Sequence, residues 1–248
     1  MMISHDVSGT GPTVLFVHST VADRRMWDPQ VSALAAAGYR AVRCDLRGYG
    51  ETPAPDRPYD NALDVLELLD DGPAALVGAS GGGRVCLELA ARWPDRVRAL
   101  ALLCTAVADH EPSAQLRAFG AREDELLEAG DVAGATELNV ATWLGPDAGD
   151  ATRERVRLMQ RHAFEVQLAA TAEVAPVRTP VDVSAVTAPT LVVSGGHDLA
   201  DFREVAARLA ARLPGSRHVE LDWAGHLPSL ERPGTVNDLL LDFLGNHI

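Results

Sequence analysis

The chain has 248 residues, 47% of them hydrophobic and 23% charged, which is typical of one large globular domain with a substantial core. Its formal net charge of −13 disfavours nucleic acid and anionic membrane surfaces as partners. The N-terminal residues lack the basic and apolar regions of a secretory signal, and no apolar run has the length of a membrane span. The three cysteines lie in apolar contexts, and together these features predict a cytoplasmic protein with reduced thiols.

The first part of the chain alternates between predicted strands and helices. The continuous apolar composition of most of these strands is typical of a parallel sheet covered on both faces, and the alternation predicts a doubly wound α/β fold. Strands are predicted at residues 3–6, 13–17, 39–44, 74–77 and 96–105, and helices at residues 27–37 and 61–69 and from Val85 to Trp93.

This alternation stops at residue 106 and resumes at residue 190. Residues 106–187 predict three helices, at 113–129, 132–143 and 151–174, followed by a proline-rich return to the sheet. A strand at 190–194, a helix at 202–213, a strand at 217–221 and a helix from Pro233 then complete the chain. We therefore expect a core of residues 1–105 and 188–248, with residues 106–187 forming a helical cap inserted after the sixth strand.

The stretch around Ser80 carries the clearest chemical signal. Gly78-Ala79-Ser80-Gly81-Gly82 matches G-x-S-x-G, and it stands between a predicted buried strand and a predicted helix. A strand that turns directly into a helix is sterically tight, so glycine is needed on either side of the turn. The serine at the apex points out of the sheet, beside the free N–H groups of the helix start, which favours acyl transfer. The alternative is an incidental serine in a glycine-rich turn.

A phosphate-binding loop is a second alternative for the same glycines. The dinucleotide fingerprint requires glycine where Ser80 or Cys86 stands, depending on where counting begins. No acidic residue closes the next predicted strand, and the chain contains no G-x-x-x-x-G-K-[ST] motif. The sequence therefore disfavours a nucleotide site.

Several chemically active residues follow predicted strands, where ligands bind in parallel sheets. They are His18, Asp45, Ser80, Asp198 and His226. Serine, then an acid, then histidine, each in a loop after its own strand, is the chain order of the α/β-hydrolase triad. On these residues the chain resembles the α/β-hydrolase superfamily, and it looks most like small esterases, enol-lactonases and haloperoxidase-like enzymes. The resemblance implies a mostly parallel, doubly wound α/β-hydrolase fold.

The resemblance also implies a role for each member of the triad. Ser80 is the nucleophile, His226 is the general base that later protonates the leaving group, and Asp198 orients the imidazole. The alternative for Asp198 is a helix N-cap, and the alternative for His226 is a surface loop histidine. Asp201 and Asp222 are the other candidates for the acid, and His197 is interpreted as a loop residue.

An oxyanion hole requires two N–H donors. Gly81, directly after the nucleophile, is one expected donor, and Thr20 in the loop after residues 13–17 is the other. Relatives usually carry His-Gly where this chain has His18-Ser19, so Val21 stays open as the alternative donor. The turn Asp45-Leu46-Arg47-Gly48-Tyr49-Gly50 resembles the superfamily's D-x-R-G-x-G, with Arg47 expected to brace the loop through an ion pair.

We therefore expect a serine hydrolase that cleaves a carboxylic ester, lactone or thioester of a small molecule. Carbon–carbon bond hydrolysis, perhydrolysis and acyl transfer use the same triad and stay open, as does a non-catalytic binding role. The proposed chemistry needs no cofactor, and no motif predicts a metal site. Beyond the small-molecule substrate we expect no nucleic acid or membrane partner, and the sequence leaves open whether the chain forms a homo-oligomer.

Overall fold

The computed structural model describes residues 2–172, 174–177 and 179–248. Within them, seven strands form one sheet in the order β1-β3-β2-β4-β5-β6-β7, parallel throughout except between β1 and β3. The predicted doubly wound parallel sheet is therefore confirmed. The strands are β1 (His5–Ser8), β2 (Thr13–Val17), β3 (Arg40–Cys44), β4 (Ala74–Ala79), β5 (Val97–Leu103), β6 (Thr190–Gly195) and β7 (Arg217–Leu221).

Helices connect most of these strands, and three of them lie between β5 and β6. None of the helices in the described part of the chain is long and apolar enough to cross a membrane. The helices are α1 (Asp28–Ala36), α2 (Asn61–Leu66), α3 (Gly81–Arg92), α4 (Ala114–Glu128), α5 (Val132–Trp143), α6 (Asp150–Leu168), α7 (Ala200–Arg212), α8 (Pro228–Glu231) and α9 (Pro233–Gly245).

The core consists of two apolar layers, one on each face of the sheet. Successive strand residues point to opposite faces, so Phe16 packs in one layer and its neighbours Leu15 and Val17 pack in the other. Helices α1 and α9 cover the first face, whereas α2, α3 and α7 cover the second. This two-sided burial explains why the central strands are apolar along their whole length.

Three details of the sequence prediction are wrong. The helical insertion follows the fifth strand and not the sixth, because five strands, β1 to β5, precede it in the chain. Helix α2 ends at Leu66, short of the predicted residue 69. Helix α6 ends at Leu168, short of the predicted residue 174, and the predicted helical position Glu173 lies outside the described residues.

The strand order changes direction between β2 and β4. The chain runs from β2 to β3 on one side and continues through β4, β5, β6 and β7 on the other. The loops that leave neighbouring strands at such a switch point separate and open a crevice at the carboxyl ends. The loop His18–Thr20 and the turn at Ser80 leave these two strands, so the fold places them side by side.

Candidate active site

Ser80 lies at the sharp turn between β4 and α3, in a left-handed backbone conformation with φ 52° and ψ −119°. A Cβ atom on Gly78 would lie 2.6 Å from the Gly83 Cα, and one on Gly82 would lie 2.3 Å from the His18 carbonyl oxygen. Side chains at these two positions are therefore excluded by backbone atoms. The tight turn predicted from the glycines is present, and it presents Ser80 at the N-terminus of α3.

Asp198 and His226 form a buried hydrogen-bonded pair. The Asp198 Oδ2 lies 2.7 Å from the His226 Nδ1, and the two side chains are 1% and 2% exposed. The other carboxylate oxygen, Oδ1, accepts a hydrogen bond of 2.8 Å from the Leu199 N–H. The His226 Nε2 makes no hydrogen bond within the described part of the chain, so this nitrogen is available to a hydroxyl or a substrate.

Two aromatic rings fix the plane of the His226 imidazole. Its ring centroid lies 4.2 Å from that of Phe202 in α7 and 4.7 Å from that of Trp143 at the end of α5. The His226 N–H also donates a 2.8 Å hydrogen bond to the Trp143 carbonyl oxygen. Neither ring contact is predicted from the sequence, because an aromatic residue on an amphipathic helix gives no signal that separates core packing from packing against a catalytic ring.

The backbone joins Ser80 to the region of this pair. The Ser80 N–H donates to the Leu103 carbonyl oxygen at 2.9 Å, and the Ala106 N–H donates to the Ser80 carbonyl oxygen at 3.1 Å. Cys104, between Leu103 and Ala106, has its Sγ within 4.8 Å of ligand atoms of both Asp198 and His226. The Ser80 hydroxyl makes no hydrogen bond within 3.5 Å to any described residue, and such contacts are often long in unliganded enzymes.

The other predicted acids lie elsewhere. Asp201 is 2% exposed, and its carboxylate accepts hydrogen bonds from His110 and from the N–H and hydroxyl groups of Ser113. Asp222 is exposed, and so is His197. Of the three candidate acids, Asp198 is the one whose carboxylate contacts the imidazole of His226.

The loop after β2 lies against the start of α3. A Cβ atom on Gly81 would lie 2.6 Å from the Thr20 Cγ2, so Thr20 packs directly on this glycine. The Val21 N–H donates a 3.4 Å hydrogen bond to the Ser19 Oγ. Thr20 is the residue of this loop that lies beside Gly81, and its N–H makes no hydrogen bond to that hydroxyl.

His18 holds this loop from within the core. Burial lowers the pKa of His18 and outweighs the opposing effect of its hydrogen bond to the Ser19 carbonyl oxygen, so the ring is neutral. Its Nδ1 lies 2.8 Å from that oxygen, and its Nε2 accepts a 2.9 Å hydrogen bond from the Leu46 N–H. The neutral ring thus serves as both donor and acceptor, and it ties the loop after β2 to the loop after β3.

The sequence matches a known protein family across most of its length. The alpha/beta hydrolase family model matches residues 14–239. The chain belongs to the alpha/beta hydrolase family. It is 33% identical over 266 residues to the putative carbamate hydrolase RutD of Variovorax paradoxus, covering 98% of this chain and 96% of the relative.

Two further relatives illustrate the range of the family. A pimeloyl-[acyl-carrier protein] methyl ester esterase of Neisseria meningitidis is 32% identical over 252 residues, covering 93% of this chain and 92% of the relative. The crystal structure of the enol-lactonase from Burkholderia xenovorans superposes with a TM-score of 0.79 at 26% identity, covering 98% of this chain and 96% of that one.

Glu231 in α8 clamps the histidine loop of this hydrolase. Its carboxylate oxygens lie 3.0 and 3.1 Å from the Gly225 N, and Oε2 lies 3.1 Å from the Gly145 N. Burial raises the pKa of Glu231, partly offset by these backbone donors. The carboxylate therefore ties the residue before His226 to the turn after α5, a role that no motif in the sequence indicates.

Arg47 braces the loop after β3, as expected from the sequence. Its guanidinium donates to both carboxylate oxygens of Asp64 in α2, at 2.6 and 2.7 Å. A bidentate pair of this kind fixes orientation as well as distance. The D-x-R-G-x-G turn is thereby anchored to a helix on the second face of the sheet.

One cluster in the described residues has the donor types of a metal site, namely Cys104, Asp198 and His226. Burial raises the pKa of the Cys104 thiol well above its ordinary value, and the Asp198 carboxylate adds to this effect. A cysteine binds a metal ion as its thiolate, and the Asp198 carboxylate is already hydrogen-bonded to the imidazole. The arrangement therefore fits a hydrogen-bonded acid–base pair better than a metal centre.

A small cavity lies next to residues that contact Ser80 and His226, although Ser80, Asp198 and His226 do not themselves line it. Its volume is about 130 Å³, and its lining includes Phe202, which packs on His226, and Ala106, which is hydrogen-bonded to Ser80. Larger cavities of about 360 and 470 Å³ lie between α6 and the loop after β3, and none of the three triad candidates lines them. The small cavity is mainly apolar, with His110 and Asp201 as its polar members.

The buried Asp201 cluster makes a prediction about stability. Burial alone would raise the pKa of Asp201, but the hydrogen bonds from Ser113 and His110 outweigh it and hold the pKa below the ordinary value of 3.8. A lowered carboxyl pKa stabilises the fold above the unfolded-state value, and this contribution disappears as the pH falls through the folded-state value.

We therefore expect Asp201→Asn to lower the free energy of unfolding by about 2 kcal/mol at pH 7, because an amide replaces a buried charged acceptor. Urea unfolding at several pH values checks this, with exposed Asp222→Asn as the control. The difference in the free energy of unfolding between wild type and Asp201→Asn should begin to decrease only when the pH falls below the ordinary aspartate pKa. Equal stability of the two proteins at pH 7 would contradict the role of the cluster.

Proposed function

We propose that this α/β-hydrolase cleaves a carboxylic ester, lactone or thioester of a small molecule through an acyl-enzyme on Ser80. The relatives named above include an esterase and an enol-lactonase, which supports ester bonds as the target. The observations that carry the proposal are the buried 2.7 Å contact between Asp198 and His226 and the left-handed turn that holds Ser80 at the start of a helix.

In the proposed mechanism, the Ser80 Oγ attacks the acyl carbon while the His226 Nε2 takes its proton. Asp198, bonded to Nδ1, holds the imidazole in the tautomer whose Nε2 accepts, and it stabilises the imidazolium that forms. The imidazolium then protonates the leaving alcohol or thiol. Water then attacks the acyl-enzyme while the His226 Nε2 takes one of its protons. The imidazolium returns a proton to Ser80 as the carboxylic acid leaves.

The developing oxyanion needs two N–H donors, and we assign them to Gly81 and Thr20. The first N–H groups of a helix have no intrahelical partner, so Gly81 is free to donate from the start of α3. Thr20 packs against Gly81, whereas the alternative donor Val21 is engaged by the Ser19 hydroxyl. Removing one such donor typically raises the barrier by about 3 kcal/mol.

The helices between β5 and β6 serve in this proposal as a cap that shapes the substrate site. Trp143 from α5 packs on the imidazole, and the cavity of about 130 Å³ lies beside residues that contact Ser80 and His226. A cavity of this size accommodates a short apolar group, since pockets for drug-sized ligands run to about 300 Å³ and more. We therefore propose a substrate with a short acyl or alcohol part.

A fluorophosphonate probe tests the proposal. The reagent reacts with an activated serine, so wild type should be labelled rapidly, and mass spectrometry of its proteolytic peptides should place the adduct on Ser80. Ser80→Ala should not be labelled, while the exposed-serine control Ser32→Ala should be labelled like wild type. Failure of the folded wild-type protein to react would overturn the proposal and favour a binding protein that uses the same pocket.

A further inference from the structure

Cys104 follows β5 in an unfavourable backbone conformation. With φ 46°, it is one of two non-glycine residues with positive φ in the described part of the chain, and the other is Ser80. The left-handed region costs an L-residue about 1–2 kcal/mol. The conformation is held by a 2.8 Å hydrogen bond from the Cys104 N–H to the Val193 carbonyl oxygen in β6. Backbone strain of this kind persists only where the surrounding structure holds it, and it is concentrated at functional sites.

The residues on either side of Cys104 hold the turn at Ser80. Leu103 accepts a hydrogen bond from the Ser80 N–H, and Ala106 donates one to the Ser80 carbonyl oxygen. The two strained residues are therefore coupled through the backbone. This coupling places Cys104 between the serine turn and the loops that carry Asp198 and His226.

The thiol of Cys104 is fully buried against the acid–base pair. Its Sγ lies 3.8 Å from the Gly225 carbonyl oxygen and within 4.8 Å of ligand atoms of Asp198 and His226. Burial raises the pKa of this thiol, so it is protonated and serves as a weak hydrogen-bond donor. A buried, protonated thiol is a poor nucleophile, which argues against a covalent role.

Gly225 is the residue before His226, and it is held from both sides. Its N–H donates to the Glu231 carboxylate, and its carbonyl oxygen accepts from the Cys104 thiol. The next N–H, that of His226, donates to the Trp143 carbonyl oxygen. The thiol thus links the backbone before the histidine to the two side chains of the pair, which lie within 4.8 Å of it.

We propose that Cys104 is a positioning residue for the Asp198–His226 pair, acting through its thiol contact with the Gly225 carbonyl and its packing against both side chains. This inference rests on the proposed function, since it assigns Cys104 to the orientation of the general base. Cys104 touches no reacting atom, and its effect is to keep the imidazole in the orientation that accepts the serine proton. A small misplacement of such a group can cost about 100-fold in rate.

The experiment compares Cys104→Ala, Cys104→Ser and Cys44→Ala. Cys44 is a matched control, because it is also fully buried and its Sγ also lies 3.8 Å from a carbonyl oxygen, that of Phe16, away from the pair. Turnover of p-nitrophenyl acetate gives kcat and KM. The low-field proton resonance of the His226 Nδ1–H reports the Asp198 contact without any substrate.

We expect Cys104→Ala to lower kcat about tenfold with little change in KM, and to shift or broaden the Nδ1–H resonance. Cys104→Ser should recover part of the wild-type kcat and of the wild-type Nδ1–H resonance, because its hydroxyl can donate to the Gly225 carbonyl. Cys44→Ala should change neither property. A Cys104→Ala protein that matches Cys44→Ala in kcat and in the resonance would overturn the inference.

The inference about Cys104 and the proposed function fail on different measurements. If Cys104→Ala does not fold, Cys104→Gly replaces it, because glycine removes the thiol and tolerates the positive φ at this position, and an unchanged resonance together with unchanged kcat then overturns the inference. If wild type is not labelled by the fluorophosphonate, the proposed function fails. The Nδ1–H resonance still shows whether Cys104 positions the pair.

Discussion

Replacing Ser80 with alanine is expected to lower the turnover of an ester substrate by about 10⁶-fold, as removal of a triad nucleophile typically does. Without the hydroxyl no acyl-enzyme forms, and the Asp198–His226 pair has no proton to accept from the protein. Residual hydrolysis should reflect only the N–H donors and substrate binding. Turnover of p-nitrophenyl acetate at pH 7 measures the effect.

The same substitution should leave folding nearly unchanged. The Ser80 hydroxyl makes no hydrogen bond to any described residue, and alanine tolerates the left-handed backbone no worse than serine does. Circular dichroism and urea unfolding provide the check, and Ser32→Ala on the exposed face of α1 provides the matched control. A Ser80→Ala protein that retains one tenth of wild-type turnover would exclude the acyl-enzyme.

Asp198→Asn is expected to lower kcat by about 10⁴-fold while the fold is kept. An asparagine amide facing the His226 Nδ1 donates a hydrogen bond where the carboxylate accepted one. The imidazole then carries its proton on Nε2, where it cannot accept the proton of Ser80. The remaining amide oxygen can still accept from the Leu199 N–H, which preserves the local loop.

The other candidate acids supply the controls for this prediction. Asp222→Asn alters an exposed carboxylate, and Asp201→Asn alters a buried one that is bonded to Ser113 and His110. Asp222→Asn should leave kcat unchanged, whereas Asp201→Asn, at a residue that lines the small cavity, should lower kcat far less than Asp198→Asn does. A larger loss in either control would identify that residue as the acid, and Asp198 would then be a structural loop residue.

Local sterics explain why the sequence was sufficient to locate the serine turn. The glycines at 78 and 82 are required because a Cβ would meet backbone atoms at 2.6 and 2.3 Å, and this constraint acts within a few residues and across one strand. The parallel sheet could be predicted equally well, because strands that are buried on both faces are apolar along their whole length. Chain order then indicated which loops meet at the carboxyl edge.

Prediction from the sequence was less successful for the choice of the catalytic acid, because that choice depends on which side chain faces the site. Asp198, Asp201 and Asp222 all lie near predicted strand or helix ends, and only the direction of each carboxylate separates them. Asp198 points to His226, Asp201 turns to Ser113 and His110, and Asp222 is exposed. The resemblance to the family indicated Asp198 as the acid. The residue pattern alone left all three aspartates as candidates.

The sequence by itself determined the sheet, the turn at Ser80 and the order of serine, acid and histidine, because these follow from constraints between near neighbours. Tertiary structure alone decided the contacts of Trp143 and Phe202 with the imidazole, the Glu231 clamp and the strained Cys104 beside the pair. These residues come from distant parts of the chain. Their contacts depend on how helices and loops pack, and no local pattern of residues encodes that packing.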